Sequence, residues 1–107
     1  MCHTRVFELT KSSVGLPGSH NGWNTTGCFY KTDETNVVKF SVSLSAGTYE
    51  FKIYSGSWLG NNRTINDSAN GWVFSSSGGN CKLVATGGVY TFIFNTSTKK
   101  LTVEHTA

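Results

Sequence analysis

Two stretches of this chain alternate apolar and polar residues with a period of two, and no stretch carries an apolar stripe at helical spacing. A period of two places successive side chains on opposite faces of a strand, so each stretch specifies one buried and one wet face. In residues 38–44, Val38, Phe40, Val42 and Leu44 share one face, and Lys39, Ser41 and Ser43 share the other. Ser45-Ala46-Gly47 is a turn sequence. Residues 48–54 then set Tyr49, Phe51 and Ile53 against Glu50, Lys52 and Tyr54. The two runs are predicted to pair as an antiparallel hairpin. The C-terminal third repeats the grammar: Gly87-Gly88 opens the run 89–94, residues 95–99 form a polar turn, and 100–104 return with Leu101 and Val103 facing inward. Shorter strands are expected at 5–11, 27–31, 72–75 and 82–84. This pattern predicts an all-β chain, an immunoglobulin-like antiparallel β-sandwich of roughly seven to eight strands.

Two segments interrupt the alternation and are expected to be loops: 15–26, with Pro17, Gly18, Gly22 and Trp23, and 56–71, with Trp58 and several Asn. Ordered loops on a rigid scaffold are where binding and catalysis concentrate.

At 107 residues the chain is expected to form one domain over 1–107. Charged residues make up only 14% and aromatic residues 13%, with Gly, Ser, Thr and Asn filling the remainder. That balance suits an extracellular β module, secreted or at the cell surface. Residues 1–9 lack the apolar core of a signal peptide, so the expectation is a module excised from a larger secreted protein. The net charge of +3 is carried by scattered cations, with Lys99-Lys100 the one adjacent pair, so no nucleic-acid surface is expected. No apolar run approaches the ~18 residues of a membrane helix, and membrane insertion is not expected. Cys2, Cys28 and Cys81 form no metal-ligand spacing. They are read as reduced thiols, with a Cys28–Cys81 disulfide as the alternative.

Catalysis finds little support. Glycoside hydrolysis uses two carboxylates at a set separation, and Glu8, Asp33, Glu34, Glu50, Asp67 and Glu104 sit among polar neighbours in strands or turns. His3, His20 and His105 lie far apart in sequence and no G-x-S-x-G turn accompanies them. The chain is therefore expected to be no enzyme and to use no cofactor or metal.

Binding fits better. Trp23 in Asn21-Gly22-Trp23-Asn24 and Trp58 in Gly56-Ser57-Trp58-Leu59 are large aromatics on turn-forming segments. A flat indole covers the apolar C–H face of a pyranose ring at small entropic cost. Amides and an ammonium at the rim hydrogen-bond the ring hydroxyls. Lys52, Tyr54, Asn61, Asn62 and Asn80 supply such groups near the tryptophans in sequence or across the hairpin. Trp72, followed by Val73-Phe74, is expected to plug the core.

Gly18-Ser19-His20-Asn21-Gly22-Trp23 resembles the Gly-Ser-Phe-Asn-x-Trp signature of glycogen- and starch-binding modules, with His20 in place of Phe. Residues 44–53 are similar to their Leu-x-Ala-Gly-x-Tyr-x-Phe-Lys hairpin, and Trp58 falls where they carry a second tryptophan. Gly78-Gly79-Asn80 and the run 87–103 resemble their closing hairpin. The string is similar to accessory modules of bacterial pullulanases and amylases, and to the glycogen-binding domain of the AMP-activated kinase β subunit. The resemblance implies a non-catalytic module for α-glucans (starch, amylopectin, glycogen, maltooligosaccharides) appended to a catalytic domain. Trp23 and Trp58 would be the stacking platforms, and Lys52 and Asn80 the polar partners. The alternatives are a module for another polysaccharide such as cellulose or xylan, or a structural docking sandwich in a multi-domain enzyme.

Overall fold

The computed structural model describes residues 10–59, 73–75 and 80–106. Among them the chain forms nine strands: β1 (Tyr30–Lys31), β2 (Val37–Leu44), β3 (Gly47–Phe51), β4 (Ile53–Tyr54), β5 (Trp58–Leu59), β6 (Val73–Ser75), β7 (Cys81–Ala85), β8 (Gly88–Asn95) and β9 (Leu101–Thr106). All strand pairs are antiparallel. The fold is the expected all-β sandwich. The count exceeds seven or eight because β3 and β4 are one run broken at Lys52, and β4 and β5 are two-residue strands. Residues 5–9, the N-terminal part of a strand expected at 5–11, lie outside the described residues, as does Trp72.

One sheet has the order β1-β2-β8-β9. Its centre is the eight-rung pairing of β2 with β8, from Val37 opposite Asn95 to Leu44 opposite Gly88. The hairpin of β8 and β9 forms as predicted, with Phe94 opposite Leu101 and Phe92 opposite Val103. The turn between them is tied by Asn95, whose Oδ1 accepts from the Ser97 and Thr98 amides. The opposing layer has β3-β7-β6, with Glu50 opposite Lys82, and the small β4–β5 hairpin.

The hairpin expected between 38–44 and 48–54 does not form. β2 pairs with β1 and β8, while β3 pairs with β7, so 45–46 arch from one sheet to the other. A tight in-plane hairpin wants residues that accept positive φ, such as Asn-Gly, in its two-residue turn, and Ser45-Ala46 are not of that kind. The inward and outward faces of both runs are nevertheless as the alternation specified. Phe51 and Ile53 are buried beneath half-buried Glu50, Lys52 and Tyr54.

The expected loop at 15–26 is also partly wrong. Residues 10–15 run along 27–31: the Lys31 amide donates to Thr10 O (2.8 Å), Ser12 N to Phe29 O (2.8 Å) and Cys28 N to Val14 O (2.9 Å). At Gly15 the same segment changes sheets. The Gly15 and Tyr54 amides donate to each other's carbonyls (2.9 and 3.0 Å), Lys52 N donates to Pro17 O (2.9 Å), and Ser19 N to Glu50 O (2.9 Å). Pro17 is tolerated because it lies on an edge, where only its carbonyl is needed. Pairing along both layers buries Val14 and Leu16 in the core. The true loop is confined to 19–26.

Both layers contribute to one core. Phe51 of β3 meets Phe92 of β8 edge to face, with centroids 5.4 Å apart, and this contact joins the sheets. Phe29, Phe94, Leu83, Leu101 and Val103 fill the space around them, each stabilising the fold by about 1.5–3 kcal/mol through burial. No disulfide joins Cys28 and Cys81. Cys81 packs in the core, and burial raises the pKa of the half-buried Cys28 thiol against smaller opposing effects from the Leu16 backbone and Lys11. Among the described residues no helix is long and apolar enough to cross a membrane.

Candidate functional site

The run from Glu50 to Tyr54 organises the site. Its inward residues anchor it in the core, and its outward residues Glu50, Lys52 and Tyr54 form a row on the opposite face. Two aromatic-bearing turns are attached to this run.

Trp58 lies directly across from Tyr54 in the β4–β5 hairpin. Cross-strand partners share a face, and the two rings meet edge to face at 5.5 Å with an interplanar angle of 72°. The indole is 48% exposed while its neighbour Leu59 is buried. Tyr54 thus supports the indole and leaves much of it open to solvent.

Trp23 is attached through Gly18, which bridges Phe51 of the same run. The Trp23 amide donates to Gly18 O (2.8 Å), as does the Asn21 amide (3.1 Å). The Asn21 side chain ties the turn: its Oδ1 accepts from the Gly18 amide (3.1 Å) and the Asn24 amide (3.2 Å), and its Nδ2 donates to Leu16 O (3.0 Å). Trp23 has φ 65°, uncommon for a bulky residue. Its indole is 38% exposed.

The anchors Phe51 and Tyr54 are three residues apart, about 10 Å along a strand. Lys52 lies between them, half-buried, with its amide held by Pro17 O and its side chain on the outward face. Glu50 continues the row on the side of Trp23. Its Oε1 accepts from Asn80 Nδ2 at 2.9 Å, and its backbone amide donates to Ser19 Oγ at 3.1 Å.

The structure therefore attaches Trp23, Trp58, Lys52, Tyr54 and Asn80 to one short backbone run. Asn80 enters with one amide hydrogen already donated to Glu50. Asn61 and Asn62 lie outside the described residues. Sequence reasoning assigned no role to Asn21 or Glu50. For Asn21 a signal was present, since an Asn among turn formers commonly folds its side chain onto nearby backbone. For Glu50 none was, because its partner Asn80 is thirty residues away.

Two further features flank the site. His20, in the Trp23 turn, borders a small apolar cavity with Leu44, Tyr49, Phe51, Leu83 and Phe92, and burial lowers its pKa below the usual value. An open groove of about 670 Å³ runs past Lys11, Lys31, Thr32, Asn36, Ser55 and Thr96 and, among the described residues, includes none of those predicted for the site. The carboxylates that are described sit apart by element: Asp33 and Glu34 in the β1–β2 turn, Glu50 on β3 and Glu104 on β9. Compared with protein-family models, curated proteins and solved structures, the chain matches none.

Proposed function

We propose that this chain is a non-catalytic carbohydrate-binding module that recognises α-glucans by stacking glucose rings on Trp23 and Trp58. The observation that carries the reading is the attachment of two exposed indoles to one run, 51–54, at backbone points on either side of Lys52. An exposed tryptophan costs apolar surface in water, and two of them on separately built turns beside a cation and amides suit a sugar chain. The apolar faces of the rings meet the indoles, while Lys52 donates to hydroxyls. A docking sandwich would bury these indoles against its neighbour. The choice of α-glucan over cellulose or xylan rests on the motif 18–23 and the run 44–53. In this reading the module is secreted or cell-surface and appended to a catalytic domain that it holds on its substrate.

Two stacked rings with a few exposed hydrogen bonds give binding on the order of −4 to −8 kcal/mol, millimolar to micromolar. Linked copies raise avidity with no new contact. Affinity electrophoresis provides the test. Migration is expected to be retarded in gels containing amylopectin, much less in gels containing cellulose derivatives or xylan, and restored by Trp23→Ala or Trp58→Ala. Unretarded migration in amylopectin refutes the α-glucan reading, and retardation only by a β-linked glycan reassigns the ligand.

A further inference from the structure

We infer that Asn21 is a positioning residue that builds the Trp23 platform in advance of ligand, so that affinity depends on a side chain whose polar atoms are turned into the protein. The inference rests on the reading of Trp23 as a stacking residue. Three hydrogen bonds converge on the Asn21 side chain, two into Oδ1 from the Gly18 and Asn24 amides and one from Nδ2 to Leu16 O. They tie together the residues on both sides of Trp23 and fasten them to the strand-like segment that pairs with 50–54. Gly22 and Trp23 hold successive positive φ values, 71° and 65°. A tryptophan does not favour that region, and such conformations persist only where surrounding contacts over-determine them. Here those contacts are the Asn21 side chain and the Trp23 amide bond to Gly18 O.

Asn21, Gly22 and Asn24 are exposed, and Trp23 is 38% exposed, so partial packing of the indole acts together with the Asn21 bonds to fix it. Without the Asn21 side chain, the turn keeps the Trp23 amide bond to Gly18 O and the Thr26 amide bond to Asn24 Oδ1, and loses the ties from Gly18, Asn24 and Leu16 to the Asn21 side-chain amide. The indole then samples many orientations, and a ligand that needs one of them binds more weakly in proportion to the fraction that remains competent. A fall of that fraction to about one-tenth weakens binding about tenfold. The direct contacts to the sugar would be unchanged.

The test measures maltoheptaose affinity by titration calorimetry for wild type, Trp23→Ala, Asn21→Ala and Asn21→Asp. In parallel it measures the order of each indole N–H by ¹⁵N relaxation, with signals assigned by Trp→Phe variants. The expected result is about tenfold weaker binding for Asn21→Ala, with a mobile Trp23 indole and unchanged order at Trp58. Asn21→Asp keeps both acceptor bonds but sets a carboxylate oxygen against Leu16 O in place of the donor, so it is expected to recover part of the affinity and of the Trp23 order, and to bind more tightly than Asn21→Ala. It also serves if the alanine variant does not fold. Wild-type affinity in Asn21→Ala, with Trp23→Ala impaired, overturns the inference and leaves the platform reading intact. The same holds if either Asn21 variant loses affinity while Trp23 stays as ordered as in wild type. Unchanged affinity in Trp23→Ala overturns the platform reading, and this inference with it.

Discussion

Gly18→Ala offers a sharp test of how the Trp23 turn is joined to the scaffold. The backbone of Gly18 lies against the 50–51 peptide so closely that a Cβ there would meet Glu50 O at 2.6 Å, the Phe51 Cβ at 2.8 Å and His20 Nδ1 at 2.9 Å. The first two neighbours are rigid: one is a backbone carbonyl and the other the root of a side chain buried against Phe92. Relief requires 18–19 to move away from 50–51. That motion strains the Ser19 amide bond to Glu50 O and the Glu50 amide bond to Ser19 Oγ. Losing two such bonds costs about 1–3 kcal/mol, and overpacking adds about 1–3 kcal/mol. The combined loss of about 2–6 kcal/mol is a large share of the roughly 5–15 kcal/mol that holds a domain together. It corresponds to a Tm drop on the order of 10 °C or more. Gly22→Ala is the control. Gly22 has positive φ (71°) with nothing within 4 Å of the added atom, so its cost is the left-handed penalty alone, about 1–2 kcal/mol. Thermal and urea unfolding followed by circular dichroism compare the two. If Gly18→Ala melts no lower than Gly22→Ala, the close approach does not constrain the turn as argued.

Further outcomes follow from the core and the site. Phe92→Ala, which removes the ring that joins the two sheets, is expected to cost about 3–5 kcal/mol in urea unfolding; a loss below about 1 kcal/mol would show that the sheets are held together elsewhere. Trp58→Ala removes a half-exposed ring, so it is expected to change Tm by only a few degrees while abolishing retardation in amylopectin gels; a collapse of stability would make Trp58 a structural residue. Burial disfavours protonated His20, so its folded pKa lies below 6.5. The unfolded chain then takes up the proton first, and stability is full above pH about 6.5 and declines as pH falls from there through the folded pKa. His20→Phe is expected to flatten that decline in melts between pH 7.5 and pH 5, and an unchanged pH profile would count against burial of the neutral ring as its cause.

How far the sequence reaches differs from element to element. In residues 38–44 and 100–104 the alternation named the inward face, and the structure agrees at Val38, Leu44, Leu101 and Val103. The β8–β9 hairpin was legible because its turn is local, closed by Asn95 within a few residues. The partners of 48–54 were not legible. Gly15-Leu16-Pro17 was taken for a loop because Gly15 and Pro17 punctuate it, yet it pairs with that run through bonds that span more than thirty residues.

The sequence by itself determined the period, and therefore the class of fold and the face of each long strand. It also put Trp23 and Trp58 on turn-forming segments. Tertiary structure decided which strand lies beside which, and with that the site. Alternation states which side of a strand is buried, but a chain that folds back in its own sheet and one that arches to the opposing sheet bury the same side. Choosing between them depends on closing the whole core, where Phe51 meets Phe92 and Gly18 fits against Glu50. That choice, made by packing over long range, attached both tryptophans to 51–54 at backbone points on either side of Lys52.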